Sequence, residues 1–508
     1  MSRASEVTGD AVARGVIWRV VEVMGTEVLA FGAFIMLARL LLPDEFGVVA
    51  QATLFILTAQ LVLQQGLPEA LVQKDDISEA HVDSCFWANL ILGLIAALFL
   101  ALLAPVLAWL LAEPALAKVL IALSPTLVLL SASRIILAKL RRAFRFQGFM
   151  VLNVAATFGG ALTAITLAAA GYGVWSLVAQ QWVYGLIGLI TGCVVAGWTP
   201  RFRFDLGHVR ELWAFSSFTV LEAMLAFCAR RLDLLILALF WSAHEIGFYF
   251  LANRLLFSVG MLTYYSISHL GLPFLARLAV DPEAYREAIY RTLRLVSLAC
   301  LPSLIGLALV APLFVPLLFG DEWTNSVAPF QGLAAFSIFY ALVLMGGQVL
   351  ISAGFAKDAM ILSAVTMVLF LASVTAAAPF GITWTAIAGG FANLIALPIY
   401  AIQLRRRFAI DLKRLAHEQM PCWLAALAMS AAVLSLSSGL AETFMPVTQL
   451  LLQIVVGACT FIGVMALLAR RELMELWASI RHGDPDPSSW VPDAANSGSN
   501  DSLQPQRH

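Results

Sequence analysis

Leu37-Ala38-Arg39-Leu40-Leu41-Leu42-Pro43-Asp44-Glu45-Phe46-Gly47 separates two long apolar runs, and its reading decides the fold. Pro43 cannot continue a helix, Asp44 favours an N-cap, and Gly47 lets a new helix start in close contact with a neighbour. The stretch therefore predicts the tight turn of a helical hairpin. At an offset of 200 residues comes Leu237-Ala238-Leu239-Phe240-Trp241-Ser242-Ala243-His244-Glu245-Ile246-Gly247, with leucine, alanine, glutamate and glycine in register. Ala168-Ala169-Ala170-Gly171-Tyr172-Gly173-Val174-Trp175 is echoed by Ala376-Ala377-Ala378-Pro379-Phe380-Gly381-Ile382-Thr383-Trp384, and Ala104-Pro105 by Ala311-Pro312. Three echoes in one order imply an internal duplication, a signature of transporters.

Hydrophobic residues make up 61% of the chain, charged residues 12%, and the mean hydropathy is +0.88. Soluble domains carry about 25% charged residues, so the composition is that of an integral membrane protein. A span needs about 20 apolar residues. That length predicts fourteen helices, at 15–38, 46–66, 84–110, 116–138, 149–170, 173–197, 212–239, 247–270, 289–318, 328–352, 359–378, 382–404, 422–441 and 446–469. The duplication groups them as an N-terminal six-helix bundle (1–205), a C-terminal six-helix bundle (206–410) and two extra helices (411–482). The tail 483–508, rich in Pro, Ser, Asp and Asn, reads as disordered and cytoplasmic.

Lys and Arg set the orientation. Loops on the side of the termini, together with the termini themselves, hold 24 of them; the opposite loops hold Arg39 and Lys118. The positive-inside rule then puts both ends in the cytoplasm. The first 14 residues contain Glu6 and Asp10 and lead into a full-length span, so no removable signal peptide is expected. The six cysteines have neither CxxC nor His-rich spacing, which argues against a disulfide framework or a metal site. No Walker A, dinucleotide-loop or HExxH pattern is present. No cofactor and no nucleic acid partner are expected, and any transport energy comes from gradients or a partner.

Ionisable residues at membrane depth are costly and become the site candidates. Glu27 lies near the middle of the first span and reads either as a neutral buried carboxyl or as an H+ or Na+ site, with Glu22 nearer the cytoplasmic face. Arg230, Arg231 and Asp233 precede the second turn and Arg254 follows it. Asp233 and Arg254 stand at equal depth, so they are placed to lock the hairpin as a pair. Alternatively, the excess of arginine serves an anionic substrate, because guanidinium groups fork onto phosphate. Gln180 and Gln181 suit sugar hydroxyls or helix–helix hydrogen bonds. Arg134 reads as a residue that snorkels to the cytoplasmic interface, and the tryptophans near helix ends, Trp241 and Trp323 included, as interface anchors.

Several stretches together resemble the polysaccharide flippases of the multidrug/oligosaccharidyl-lipid/polysaccharide exporter superfamily. They are Leu37 to Gly47, Gly66-Leu67-Pro68-Glu69-Ala70-Leu71-Val72-Gln73-Lys74, Phe86-Trp87-Ala88-Asn89-Leu90 and Gly171 to Gln181. Later come Ala229-Arg230-Arg231-Leu232-Asp233, Ala252-Asn253-Arg254-Leu255 and Pro273 to Leu278 with Asp281-Pro282-Glu283. The resemblance implies an all-α polytopic fold of two six-helix bundles around a cavity, with two further helices. It also implies alternating access that moves an undecaprenyl-diphosphate-linked repeat unit across the bacterial inner membrane, with Arg230, Arg231, Asp233 and Arg254 meeting the diphosphate. Implied partners are that lipid-linked oligosaccharide, membrane lipid, H+ or Na+, and a polysaccharide polymerase with its chain-length machinery. A cation-coupled multidrug exporter of the same superfamily is the nearest alternative. A membrane glycan polymerase or ligase fits poorly, since it needs a sizeable outer loop and the loops here are short.

Overall fold

The computed structural model describes residues 9–74, 77–143, 146–212, 232–279, 281–440 and 444–469. Among the described residues there is no β-strand, and thirteen helices are long and apolar enough to cross a membrane. The chain is an all-α, multi-pass membrane protein. The expected span 212–239 falls mostly outside the described residues; its described end, 232–240, is helical.

The N-terminal helices are α1 (Gly9–Leu40), α2 (Pro43–Gln65), α3 (Leu67–Gln73), α4 (Glu79–Leu110), α5 (Pro114–Leu123), α6 (Thr126–Arg142), α7 (Phe146–Ala169) and α8 (Val174–Ala196). After the second turn come α9 (Ala243–Leu262), α10 (Tyr264–Leu278), α11 (Pro282–Phe319), α12 (Val327–Ser352), α13 (Ala356–Ala377), α14 (Ile382–Phe408), α15 (Leu412–Leu440) and α16 (Pro446–Leu468). One expected span, 247–270, is broken: Thr263, at φ −111° and ψ −100°, separates α9 from α10. Within 116–138, Pro125 has no N–H to give and interrupts the helix between α5 and α6, which together still make one span, Pro114–Arg142.

The described helices fall into two compact units. One comprises Met1–Ser258, Ala311–Leu333 and Phe370–Phe391, and so draws on both halves of the sequence. The other comprises Val259–Val310, Ala334–Leu369 and Ala392–His508.

In the first unit the duplicated turns pack against each other. A Cβ on Gly47 would collide with the Ala243 carbonyl, and a Cβ on Gly247 with the Pro43 carbonyl. The contact is reciprocal at the 200-residue offset, as an isologous contact between two copies would be. Asp44 Oδ1 lies 3.0 Å from His244 Nδ1 across the same seam. Asp44 is not the N-cap: Leu42 holds that position, Pro43 opens α2, and Glu45 reaches back to accept from the Leu42 N–H at 2.9 Å. Glu245 likewise takes the Ser242 hydroxyl in its own turn.

An aromatic wedge sits beside the seam. Phe34 meets Phe46, Phe250 and Phe319 at 5.5, 6.2 and 5.8 Å, and Phe46 meets Trp323 at 5.4 Å. Edge-to-face pairs of this kind contribute about 0.5–1.5 kcal/mol each beyond their burial. Trp323 is fully buried and donates to Ala38 O at 2.7 Å, so it is a packing residue and not an interface anchor. Trp241 is also held inside, by Ala378 O at 2.7 Å, which ties the second turn to the Ala376–Trp384 echo. Elsewhere in this unit the segment after α8 is strapped to α4. Trp87 donates to Arg201 O at 2.8 Å, Asp83 accepts from the Arg201 N–H at 3.2 Å, and Lys74 bonds Glu211. That ammonium holds the Glu211 carboxyl below the usual carboxylate range.

In the second unit Asp281 caps α11, accepting from the N–H groups of Glu283 and Ala284 at 2.9 and 3.2 Å, as the Asp-Pro-Glu signal predicts. Arg414 forks onto Glu287 at 2.6 and 2.7 Å and lies over the Tyr290 ring.

Alanine at Gly47 or Gly247 forces the two turns apart, an overpacking worth about 1–3 kcal/mol. Each substitution lowers the melting temperature of the purified protein. Gly32→Ala does not, because a Cβ there meets nothing within 4 Å. Equal melting temperatures for all three variants contradict the seam.

Candidate functional site

The seam and the aromatic wedge bring the middles of α1 and α9 together. Glu27 is thirteen residues before the end of α1 and Arg254 eleven after the start of α9. At 1.5 Å per residue these are about 20 and 16 Å from the turns, near the middle of a hydrocarbon layer about 30 Å thick. There Arg254 Nη2 meets Glu27 Oε1 at 2.9 Å. The Ser258 hydroxyl, one turn on from Arg254, lies 3.0 Å from the same carboxylate oxygen and 3.1 Å from Arg254 O. The two charged side chains keep 18% and 23% of their surface.

Arg254 thus takes its anion from α1 and not from its own hairpin. Asp233 stands apart from this pair: buried, it accepts from the Tyr249 hydroxyl at 2.8 Å. Equal depth does not fix which way a side chain points around its helix. Arg230 and Arg231 lie outside the described residues, as does the side chain of Glu22. Gln180 and Gln181 are half-buried on α8. A Cβ on Gly160 of α7 would lie 3.5 Å from Gln180 Cγ, so Gln180 is in the α7–α8 seam, and among the described residues no hydrogen bond joins either glutamine to the Glu27–Arg254 cluster. Arg134 is half-buried in α6 within electrostatic reach of Tyr184, and among the described residues it has no carboxylate partner. Ser258 and Tyr249 drew no attention in the sequence. For Ser258 the available signal was its place four residues after Arg254, since a residue one helical turn away shares a face; Tyr249, five residues before, is on another side of the helix. No three described His, Cys, Asp or Glu residues cluster to hold a metal ion, and no disulfide joins the five described cysteines.

Chemically the cluster is an ion pair assisted by one hydroxyl. A guanidinium at this depth needs a counter-charge, and the one it has is a single carboxylate oxygen held end-on.

A family model described as "Polysaccharide biosynthesis protein" matches residues 36–328, more than half of the chain and including the turn seam and Arg254. The chain belongs to this polysaccharide biosynthesis family. Among its relatives is the succinoglycan biosynthesis transport protein of Rhizobium meliloti, 30% identical over 331 residues, covering 65% of this chain and 67% of that one. The teichuronic acid biosynthesis protein of Bacillus subtilis is 23% identical over 377 residues, 72% of this chain and 76% of that one. Among solved structures, a lipid II flippase in an inward closed conformation superposes with a TM-score of 0.72 at 12% identity, over 90% of this chain and all of that one. An inward-facing multidrug resistance transporter of the MOP superfamily gives 0.57 at 15% identity, over 78% and 98%. These likenesses establish the fold.

If the cluster is an ion pair within the membrane, removing one partner costs more than removing both. Glu27→Leu leaves a bare guanidinium and destabilises by about 3–5 kcal/mol. Adding Arg254→Met to that variant restores much of the lost melting temperature; additive losses contradict the pairing.

Proposed function

We propose that this protein is a flippase which carries undecaprenyl-diphosphate-linked polysaccharide repeat units from the cytoplasmic to the outer leaflet of the bacterial inner membrane. It is a transporter, and both of its termini are cytoplasmic. Its two six-helix bundles, 1–205 and 206–410, rock about the membrane midplane in alternating access, while the polyprenyl tail stays in lipid. Membership of the polysaccharide biosynthesis family supports the substrate class, and the family carries this class further than the fold alone does.

The observation that carries the reading is the Glu27–Arg254–Ser258 cluster at membrane depth. Arg254 is the anchor for the diphosphate, assisted by Arg230 and Arg231. Asp233 orients that end of the hairpin through Tyr249. Gln180 and Gln181 meet sugar hydroxyls. Glu27, with Glu22, couples transport to H+ or Na+, and a polysaccharide polymerase receives the flipped unit.

A second reading rests on Glu27 itself, a carboxylate at mid-membrane of the sort a cation-coupled drug exporter uses. Loss of drug efflux in Glu27→Gln, with polymer export intact, favours that reading.

Arg254→Ala stops polymer export from cells and leaves the lipid-linked unit on the cytoplasmic face, seen as resistance to an externally added glycan-labelling reagent. Export at the native rate refutes the assigned role of Arg254.

A further inference from the structure

The Glu27–Arg254 contact is end-on. One guanidinium nitrogen meets one carboxylate oxygen, and among the described residues no other acceptor takes the remaining N–H groups of Arg254. A forked partner with more charge therefore outcompetes a single carboxylate for this guanidinium. Both anions cannot hold the same edge of the guanidinium at once, because Glu27 is anchored to the Ser258 hydroxyl on α9 and approaches from α1.

We infer that Glu27 is an internal stand-in for the substrate's diphosphate: it closes on Arg254 in the empty carrier and is displaced when a polyprenyl diphosphate binds. The inference rests on the reading of Arg254 as the diphosphate anchor, and it adds what regulates that anchor.

Two features support the exchange. The first is charge. An arginine at this depth without an anion carries a large desolvation cost, so the empty carrier requires a substitute, and Glu27 is the described residue in place. The second is the serine. Its single hydroxyl proton has two acceptors on offer, Glu27 Oε1 at 3.0 Å and Arg254 O at 3.1 Å, so the departure of Glu27 leaves no orphaned donor on α9.

The diphosphate oxygens replace Glu27 Oε1 on the guanidinium. When the diphosphate departs, Glu27 returns to Arg254, so the carrier resets with its positive charge covered.

The test uses the full-length protein in phospholipid nanodiscs with undecaprenyl diphosphate as the probe. Calorimetry reports the affinity. Glu27→Gln, which keeps shape and hydrogen bonding but gives up the competing charge, binds about tenfold more tightly than the native protein, equivalent to about 1.4 kcal/mol. Glu27→Asp, a shorter lock that keeps the charge, binds with intermediate affinity, which separates competition from a change in folding. Unchanged affinity in Glu27→Gln overturns the exchange even if Arg254→Gln still abolishes binding. Undiminished binding by Arg254→Gln instead removes the anchor, and with it the reading on which this inference stands.

Discussion

Two peptide carbonyls, those of Pro43 and Ala243, lie where the Cβ of any residue other than glycine at 247 or 47 would be. That steric condition governs the first unit. It lets the two turns meet backbone to backbone, with Asp44 facing His244 across the join. It also sets the approach of α1 and α2 to α9, and the wedge of Phe34, Phe46 and Phe250 keeps it. In a membrane the hydrophobic effect gives helices little reason to prefer one neighbour over another, so close packing of small residues does much of that work. Glu27 and Arg254 meet because the helices that carry them are held this way.

The charged pair has a different rationale from the seam. A buried ion pair is weak evidence for stability, because desolvation offsets much of the Coulomb attraction. Arg254 and Glu27 are partly buried, joined end-on, and assisted by a serine that has another acceptor at hand. Such an arrangement is poorly suited to a permanent lock and well suited to exchange. In a family of polysaccharide biosynthesis proteins, a guanidinium that can trade one anion for another fits a substrate carried by its phosphates.

Much of this was legible in the sequence, and the misses share a cause. The turn at Pro43, the start of α11 after Asp281 and the positions of the spans follow from local chemistry: proline's missing donor, a carboxylate cap, and the length of an apolar run. The 200-residue echo was readable too, and its glycines turned out to touch across the repeat. What the sequence could not settle was azimuth. Spacing put Arg254 level with Asp233, yet the carboxylate it meets comes from α1. Trp323, at a helix end, has the position of an interface anchor but turns inward to Ala38 O.

The central claim is that the mid-membrane guanidinium of Arg254 holds the substrate's phosphate. Solid-state NMR on the full-length protein in lipid, with 15N-labelled arginine and bound undecaprenyl diphosphate, measures it directly through dipolar dephasing between nitrogen and phosphorus. The account predicts dephasing of a guanidinium signal that disappears in Arg254→Lys. Dephasing that persists in that variant, or no arginine signal affected at all, contradicts it.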